Sequence, residues 1–466
     1  MVHSWCTSGA RRPGQPVAEE DRQVIERAIA AAKRRNPAME ESIFNFLRDI
    51  LLFRFPENLD DKAREEHMDF VLKFQQITGP IMAKGLEDTA FYIYNRLAAL
   101  NEVGGEPQQF GTSIAAFHER NLDRHRNWPA NLLATSTHDT KRSEDVRARM
   151  LAISEIPDVW RRSLAKWRTV NRRWKKQVNE SEAPDANEEY LLYQTLLGTW
   201  PIEPQGTPQS RVDAEYIERI QNYMTKALNE AKLNTSWIQP NEQWLAAMRD
   251  FVAKILEPGS KNKFLPTFLP VAEQIARLGV VNSLSQLLLK LASPGVPDIY
   301  QGTEIWEFSL VDPDNRRPVD YKLRAEMLSC LSSKTPEELM RNWPDGRIKM
   351  FLTQRALRFR NEHANLFREG EYFPLGTTGE FKECCITFAR KLGRQMIVVI
   401  APRLSSRIGF PPVGDRWKDT AIELPEGFPL ERWRDALTGR ELWIKNRQVP
   451  LADVMSMLPF AMIANQ

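Results

Sequence analysis

The stretch Ala134-Thr-Ser-Thr-His-Asp-Thr-Lys-Arg-Ser-Glu-Asp145 decides the fold prediction. It continues a short β-prone run that begins at Asn131, and it leads into a charged segment with helical character. In a (β/α)8 barrel the catalytic groups stand at the C-terminal ends of the strands, because those ends build the barrel mouth. His138 and Asp139 are therefore candidate catalytic residues. The same residues could equally form a turn in which Asp139 caps the following helix.

Two further stretches lie far downstream of the His-Asp pair. Pro294-Gly-Val-Pro-Asp-Ile-Tyr-Gln-Gly-Thr-Glu304 contains a short apolar run, and Asp312-Pro-Asp-Asn-Arg-Arg-Pro-Val-Asp-Tyr321 follows it. Together with the His-Asp pair, they resemble the last two strand ends of the α-amylase superfamily of glycoside hydrolases. In that superfamily a His-Asp tip on strand seven precedes a Gly-x-Pro-x-x-Tyr-x-Gly-x-Glu strand eight.

Two more motifs, which lie upstream of the His-Asp pair, narrow the resemblance to one family. Thr78-Gly-Pro-Ile-Met-Ala-Lys-Gly-Leu-Glu-Asp-Thr-Ala-Phe-Tyr92 and Asn101-Glu-Val-Gly-Gly-Glu-Pro107 are similar to segments of the maltooligosyltrehalose synthase family. The motifs occur in the order that the family has. The resemblance extends from about Ala18 to the C-terminus.

The resemblance implies an α/β plus β fold: the last strands of a partial (β/α)8 barrel, a large helical insertion and a C-terminal antiparallel β domain. Leu132–Ala134 and Val296–Tyr300 should be neighbouring parallel strands, with Asp139 and the loop 312–317 at the same end. From Tyr372 the apolar pattern has a period of two, which is typical of β-strands. The implied segments are a disordered leader (1–17), a helical segment with barrel strand seven (18–145), a helical insertion (146–290) with an exposed break from Asn179 to Asn187, barrel strand eight with its helices (291–370) and the β domain (371–466).

The resemblance also implies an activity. Members of the family are (1→4)-α-D-glucan 1-α-D-glucosylmutases of trehalose biosynthesis, which isomerise the reducing-end α-1,4 link of a maltooligosaccharide to an α,α-1,1 link. A retaining glycosidase needs a nucleophilic carboxylate and a second carboxyl group about 5–5.5 Å away. In the superfamily these two groups stand on strands four and five, and the acid on strand seven stabilises the transition state. Here that acid would be Asp139, with His138 as a hydroxyl donor beside it.

The nucleophile and the acid/base are not found upstream of Asp139, where the sequence reads as helices. The chain is therefore expected to be the C-terminal portion of a longer enzyme and to be inactive alone. The N-terminal barrel half would be either part of the same gene product or a separate chain that acts as a partner. The expected substrate is a maltooligosaccharide, and neither a metal nor a cofactor is expected.

Lys84, Asp88 and Tyr92 combine charge with an aromatic ring at helical spacing. Such residues often form an ion pair three or four positions apart over a core stripe. Sugar binding uses the same chemistry, because a pyranose offers C–H faces to aromatic rings and hydroxyls to charged groups. The resemblance implies that these residues line the site near the reducing-end glucose.

The loop after the second predicted strand sets two acids beside two arginines, namely Asp312, Asp314, Arg316 and Arg317. One interpretation is a turn rich in Asp, Asn and Pro with local ion pairs. The other is a hydroxyl-binding rim, because barrel sites lie at the C-terminal ends of strands.

The composition excludes few classes of protein. With 64 basic and 61 acidic residues among 466, the net charge of +3 does not favour a nucleic-acid or membrane partner. The four cysteines, Cys6, Cys330, Cys384 and Cys385, show no metal-ligand spacing and suit a reducing cytoplasm. We expect no run of apolar residues long enough to span a bilayer.

Tryptophans recur every seven residues at Trp160, Trp167 and Trp174, which predicts an aromatic seam along a helix. Basic residues without an acid surround them over 161–176. Three hypotheses remain: a part of the synthase, a non-catalytic α-glucan-binding remnant, and a basic helical protein that binds nucleic acid through residues 161–176.

Overall fold

A computed structural model describes residues 17–430 and 432–465. The chain divides into two compact units, Met1–Ile93 and Tyr94–Gln466. All but one residue of the predicted leader, and Cys6 with it, lie outside the described residues.

The first unit is helical from Glu19 onward. It contains α1 (Glu19–Arg35), α2 (Glu41–Leu51), α3 (Asp61–Met82), a π-helix (Ala83–Ala90) and one α-helical turn (Phe91–Ile93). Helix α1 begins with acids and ends with bases, an order that complements the helix dipole. A small apolar core joins the three helices and consists of Ile25, Ile50, Leu51, Leu52 and Val71.

The second unit contains most of the helices. They are α4 (Ile114–Asn127), α5 (Glu144–Ala152), α6 (Pro157–Asn171), α7 (Ala186–Thr199), α8 (Ala214–Ala231), α9 (Glu242–Leu256), α10 (Leu265–Ala292), α11 (Tyr321–Cys330), α12 (Pro336–Arg341), α13 (Arg347–Glu362), α14 (Ala364–Glu369) and α15 (Leu451–Val454). Helix α10 packs against α5, α6, α7 and α13, and thereby forms the centre of this helical part.

Helix α10 is apolar on nearly all sides. Its length and hydropathy would suffice to cross a bilayer, which corrects the expectation that no apolar run is long enough. Its most apolar window is, however, 78% buried inside the fold. A helix that is hydrophobic all round and covered by neighbours is typical of a protein core.

The segment predicted as a helical insertion consists of the helices α5 to α10 with their connecting loops, a β-bridge between Ile202 and Pro208, and one hairpin. Strand β2 (Lys176–Val178) pairs antiparallel with β3 (Ser181–Ala183), where sequence analysis predicted the beginning of an exposed break. Asn179 has a φ of 54°. Tight hairpin turns require positive φ values, and Asn tolerates them better than most residues.

Strands β1 (Leu132–Leu133) and β4 (Val296–Pro297) form a parallel pair, as predicted. The second strand is shorter than predicted. Its ladder ends where the Asp298 N–H donates to the Leu133 carbonyl at 3.0 Å, and the chain then turns. Within residues 17–430 and 432–465, no other strand joins this pair.

The C-terminal part forms two antiparallel sheets, as predicted from its period of two. The larger has the order β11 (Glu441–Trp443), β10 (Arg432–Asp435), β13 (Ala461–Asn465), β8 (Gln395–Pro402), β7 (Cys385–Leu392), β5 (Glu371–Pro374). The smaller has the order β12 (Gln448–Pro450), β9 (Ala421–Glu423), β6 (Gly376–Thr378).

The larger sheet is buried on both faces. Ile397 and Val399 of β8 belong to the apolar core that includes residues of α10 and α13. Val398 and Ile400 belong to the core that includes Ile422 of the smaller sheet. Because successive side chains of a strand point to opposite faces, burial on both faces explains the continuous apolar run in β8.

Candidate active site

His138 and Asp139 form the exposed tip of a turn that follows β1. The Thr140 hydroxyl donates to the Thr137 carbonyl at 2.8 Å, and the Asp139 N–H donates to the Thr137 hydroxyl at 3.3 Å. Helix α5 begins only after this turn, with Ser143 at its N-cap. The alternative interpretation of Asp139 as a helix cap is therefore wrong.

The loop after β4 contacts this turn directly. The Asn315 side chain donates from Nδ2 to the backbone carbonyl of His138 at 2.7 Å. This contact confirms the prediction that Asp139 and the loop 312–317 lie at the same end of the strand pair. The sequence analysis did not predict a role for Asn315, although the residue lies inside the motif 312–321. Its four charged neighbours were the stronger candidates for binding hydroxyl groups.

Asp314 connects the loop to the helical part of the unit. Arg219 of α8 donates from Nε to both carboxylate oxygens of Asp314 at 2.9 Å, and the Leu310 N–H donates to Oδ2 at 2.7 Å. Arg317 Nε lies 3.4 Å from Asp314 Oδ1. Both oxygens thus accept protein donors, and a contact of Asp314 with substrate hydroxyls stays a prediction.

Asp312 and Arg316 form an ion pair within the loop, as the local interpretation of this motif suggested. Lys226 of α8 donates to the Asp312 carbonyl at 2.5 Å. Cavities of about 260 and 330 Å³ lie on the two sides of the loop, and both are lined by Asp314 and Arg317. The charged loop therefore borders two cavities.

Lys84, Asp88 and Tyr92 belong to the first unit, whereas His138 and the loop belong to the second. Lys84 and Asp88 lie in the π-helix and form an i,i+4 ion pair. Tyr92 is buried. π-helical turns are rare in proteins, and many of those that occur lie at functional sites. Sugar binding by these three residues stays a prediction.

A buried cluster of charges lies beneath the turn. Lys349 of α13 contacts Glu144 Oε1 at 2.7 Å and Asp145 Oδ2 at 2.8 Å, while Lys290 of α10 lies 3.6 Å from Glu144 Oε2. Lys290 also donates to the Thr135 hydroxyl at 2.7 Å. The cluster thus reaches the residue that follows β1.

Glu144 and Lys349 are stabilised in their charged forms, whereas burial raises the pKa of Asp145 and lowers that of Lys290. Burial alone would raise the pKa of Glu144, but Lys349 and Lys290 outweigh this effect and lower that pKa to about 2. Burial likewise opposes the charge of Lys349, but Asp145 and Glu144 raise its pKa above the ordinary value. Sequence analysis missed Lys349, for which no local pattern gave a signal.

The described residues hold no group of three or more His, Cys, Asp or Glu side chains that could bind a metal ion.

Two neighbouring parallel strands, a turn with acidic residues after each of them and a C-terminal antiparallel β domain are the features that the resemblance to the α-amylase superfamily implies. The chain matches no family model. A protein of Mycobacterium tuberculosis that bears the name maltooligosyl trehalose synthase is 33% identical over 399 residues, which are 84% of this chain and 45% of the relative.

Solved structures that are similar to this chain bear the same name as this relative. The maltooligosyltrehalose synthase from Arthrobacter ramosus is 32% identical, with a TM-score of 0.75 over 96% of this chain and 51% of that one. A second structure, of a maltooligosyl trehalose synthase, is 29% identical, with a TM-score of 0.69 over 100% of this chain and 59% of that one. The chain is a relative of the maltooligosyltrehalose synthases and spans about half of their length.

Proposed function

We propose that this chain supplies one part of a (1→4)-α-D-glucan 1-α-D-glucosylmutase site, which isomerises the reducing-end α-1,4 link of a maltooligosaccharide to an α,α-1,1 link. The observation that carries the proposal is the contact between Asn315 and His138. It brings the acidic ends of two neighbouring parallel strands together, as a site at a barrel mouth requires.

In this proposal Asp139 stabilises the transition state. Its exposed carboxylate accepts hydroxyls of the distorted sugar ring and balances the positive charge of the oxocarbenium-like state, while His138 donates to a neighbouring hydroxyl. The nucleophile and the acid/base come from elsewhere, because one carboxylate cannot serve as both across one bond. The chain by itself is expected to be inactive.

The parallel strand pair favours a separate barrel half as partner. Parallel strands are normally covered on both faces, yet Leu132 is 69% and Val296 is 46% exposed. Trp128, just before β1, is 66% exposed. We propose that β1 and β4 are the last two strands of a partial (β/α)8 barrel, and that the other strands cover these residues.

The remaining candidate residues would bind the substrate. Lys84, Asp88 and Tyr92 would contact the reducing-end glucose, and the loop of Asp312, Asp314, Arg316 and Arg317 would form the rim. The released glucose must turn over and attack the glycosyl-enzyme before water does, so the site must exclude water. The helical segment 146–290 is a candidate for this closure. We place the enzyme in the cytoplasm and invoke no cofactor.

The test is complementation with the part of the Arthrobacter ramosus synthase that this chain does not match. Maltopentaose is incubated with this chain, with the added part, and with both, and trehalose end groups are measured as loss of reducing power without glucose release. We expect turnover only with both parts. Binding of maltopentaose without turnover of the mixture would instead favour a non-catalytic α-glucan-binding protein.

A further inference from the structure

The turn that carries His138 and Asp139 lies within a closed ring of hydrogen bonds. On one side of the turn, Arg147 of α5 donates to the Thr135 carbonyl. On the other side, the N–H groups of Lys141 and Arg142 donate to the Glu102 carboxylate at 2.7 and 3.2 Å. An ion pair of 3.1 Å between Arg147 and Glu102 closes the ring.

The position of Glu102 is set by its own tight turn. Gly104 has a φ of +71°, a conformation that residues with a side chain rarely adopt. A Cβ on Gly105 would lie 2.7 Å from the Leu100 carbonyl oxygen and 2.8 Å from that of Glu102. The Asn101 side chain donates to the Tyr94 carbonyl at 2.8 Å. The two glycines and Asn101 therefore hold Glu102 in one place.

The ring is screened from water, but the tip is open. The side chains of Arg147 and Glu102 are only 14% and 13% exposed. The five residues that the ring encloses, 136–140, include the exposed His138 and Asp139. An ion pair with little solvent access and several extra hydrogen bonds has more defined geometry than a surface pair. The ring therefore fixes both ends of the turn and leaves its tip accessible.

We propose that Glu102 and Arg147 are positioning residues, which set the His138–Asp139 turn in its working geometry before any other part of the site is present. The proposal rests on the proposed function for its catalytic meaning only. Neither residue reaches the reacting atoms; each acts through the backbone of the turn. A displacement of a catalytic group by about 1 Å can lower the rate about 100-fold.

The first measurement uses this chain alone. Amide hydrogen exchange is followed in the wild type, in Glu102→Gln, in Arg147→Gln and in the double variant, with Glu106→Gln as the matched control. Glu106 is an exposed acid four residues along the same segment. We expect the amides of Lys141 and Arg142 to exchange at least about 10-fold faster in the ring variants, while those of α10 keep their protection.

The double variant should exchange no faster than the worse single variant, because residues of one network are not additive. Unchanged exchange at Lys141 and Arg142 in Glu102→Gln would overturn the proposal. Equal loss of protection throughout α10 would also overturn it, since Glu102 would then support the fold in general.

The second measurement uses the complemented enzyme. We expect kcat to fall by about 10–100-fold in Glu102→Gln with little change in KM, because the turn acts on the transition state. Glu106→Gln should behave as the wild type. Faster exchange of the turn with full kcat would overturn the positioning role. Absence of turnover in the wild-type mixture would contradict the proposed function, and the exchange data would still decide whether the ring sets the turn.

Discussion

Asn315 and His138 are 177 positions apart in the sequence, yet the Asn315 side-chain amide donates to the His138 carbonyl at 2.7 Å. This bond joins the loop 312–317 to the tip of the turn after β1, in addition to the backbone bond in which the Ser143 N–H donates to the Ser309 carbonyl at 3.0 Å. The Asn315 bond is made by a side chain to a backbone group, so the identity of the residue at 315 decides whether it exists.

Asn315→Asp should remove the contact between the loop 312–317 and the tip of the turn. The substitution replaces the donor by a carboxylate oxygen, which would face the His138 carbonyl and repel it. The expected loss of stability is only about 1–3 kcal/mol, because one hydrogen bond is lost and one acceptor is left unpaired. Amide exchange of residues 137–140 should accelerate, and exchange in β8 should not. Unchanged exchange in the turn would contradict the coupling.

Lys349→Met should lower the free energy of unfolding of the second unit by more than a substitution at the surface does. Lys349 is fully buried between Glu144 and Asp145. Its removal leaves two buried acids with Lys290 alone, and a broken buried pair typically costs about 3–5 kcal/mol. Urea denaturation followed by tryptophan fluorescence measures the loss.

The exposed Lys334 is the matched control, and Lys334→Met should cost less than about 0.5 kcal/mol. Adding Asp145→Asn to Lys349→Met should recover part of the stability, because it removes one of the uncompensated charges. A double variant that is less stable than Lys349→Met would argue against charge as the cause.

Glu188 makes stability depend on pH near neutrality. Burial, together with the charge of Asp185, raises the pKa of Glu188 to about 7, although Asn234 and Trp244 donate to its carboxylate. A raised carboxyl pKa contributes stability that is fully present below the ordinary pKa and is lost as the pH rises through the folded-state value. Between pH 6 and 8 the free energy of unfolding should fall by about 1 kcal/mol.

Glu188→Gln should flatten this dependence, because the amide does not titrate. Urea denaturation midpoints at pH 6 and pH 8 measure both slopes. The exposed Glu180 offers a control: Glu180→Gln should keep the slope of the wild type. Parallel slopes in the wild type and in Glu188→Gln would show that other groups cause the dependence.

The basic segment 161–176 should not bind duplex DNA. Several of its charges have partners: Arg172 contacts Glu182 at 3.1 Å, and Lys175 contacts the buried Glu189 at 2.8 Å. We expect no salt-sensitive binding at micromolar concentration in a fluorescence anisotropy titration. Binding that falls with salt and disappears when Arg172 and Arg173 are changed to Glu would contradict this expectation.

Local patterns in the sequence predicted those features that local patterns determine. The period of two predicted the strands of the C-terminal sheets. The pairing of β1 with β4 followed instead from the resemblance of their two motifs to the α-amylase superfamily. The prediction of an aromatic seam was correct for two of its three tryptophans. The ring centroids of Trp160 and Trp167 lie 5.8 Å apart in an edge-to-face arrangement. Trp174 lies beyond the helix, and the Arg173 guanidinium lies over its ring.

The contacts that hold the turn could not be predicted in this way. Lys349 reaches Asp145 from 204 positions away, and Glu102 reaches Lys141 from 39. Neither separation along the sequence follows a period that sequence analysis can recognise, because the path of the intervening chain determines which residues meet. Asn315 could have been found, since an amide among charged residues of a motif is a candidate for a backbone contact.

Asp139→Asn should abolish most of the turnover of the complemented enzyme and leave the fold unchanged. The amide keeps the shape of the side chain but removes the charge that balances the oxocarbenium-like state. Removing one preorganised electrostatic group of this kind lowers kcat by about 10²–10³-fold. Because Asp139 is exposed and its backbone is held by Thr137, the denaturation midpoint should not change.

Asp123→Asn is the control for the loss of one negative charge. Asp123 is an exposed acid of α4 that accepts a hydrogen bond from Asn127, and the variant should keep full kcat. The assay is loss of reducing power from maltopentaose without glucose release. Full activity of Asp139→Asn beside an active wild type would mean that the charge at this turn takes no part in the chemistry.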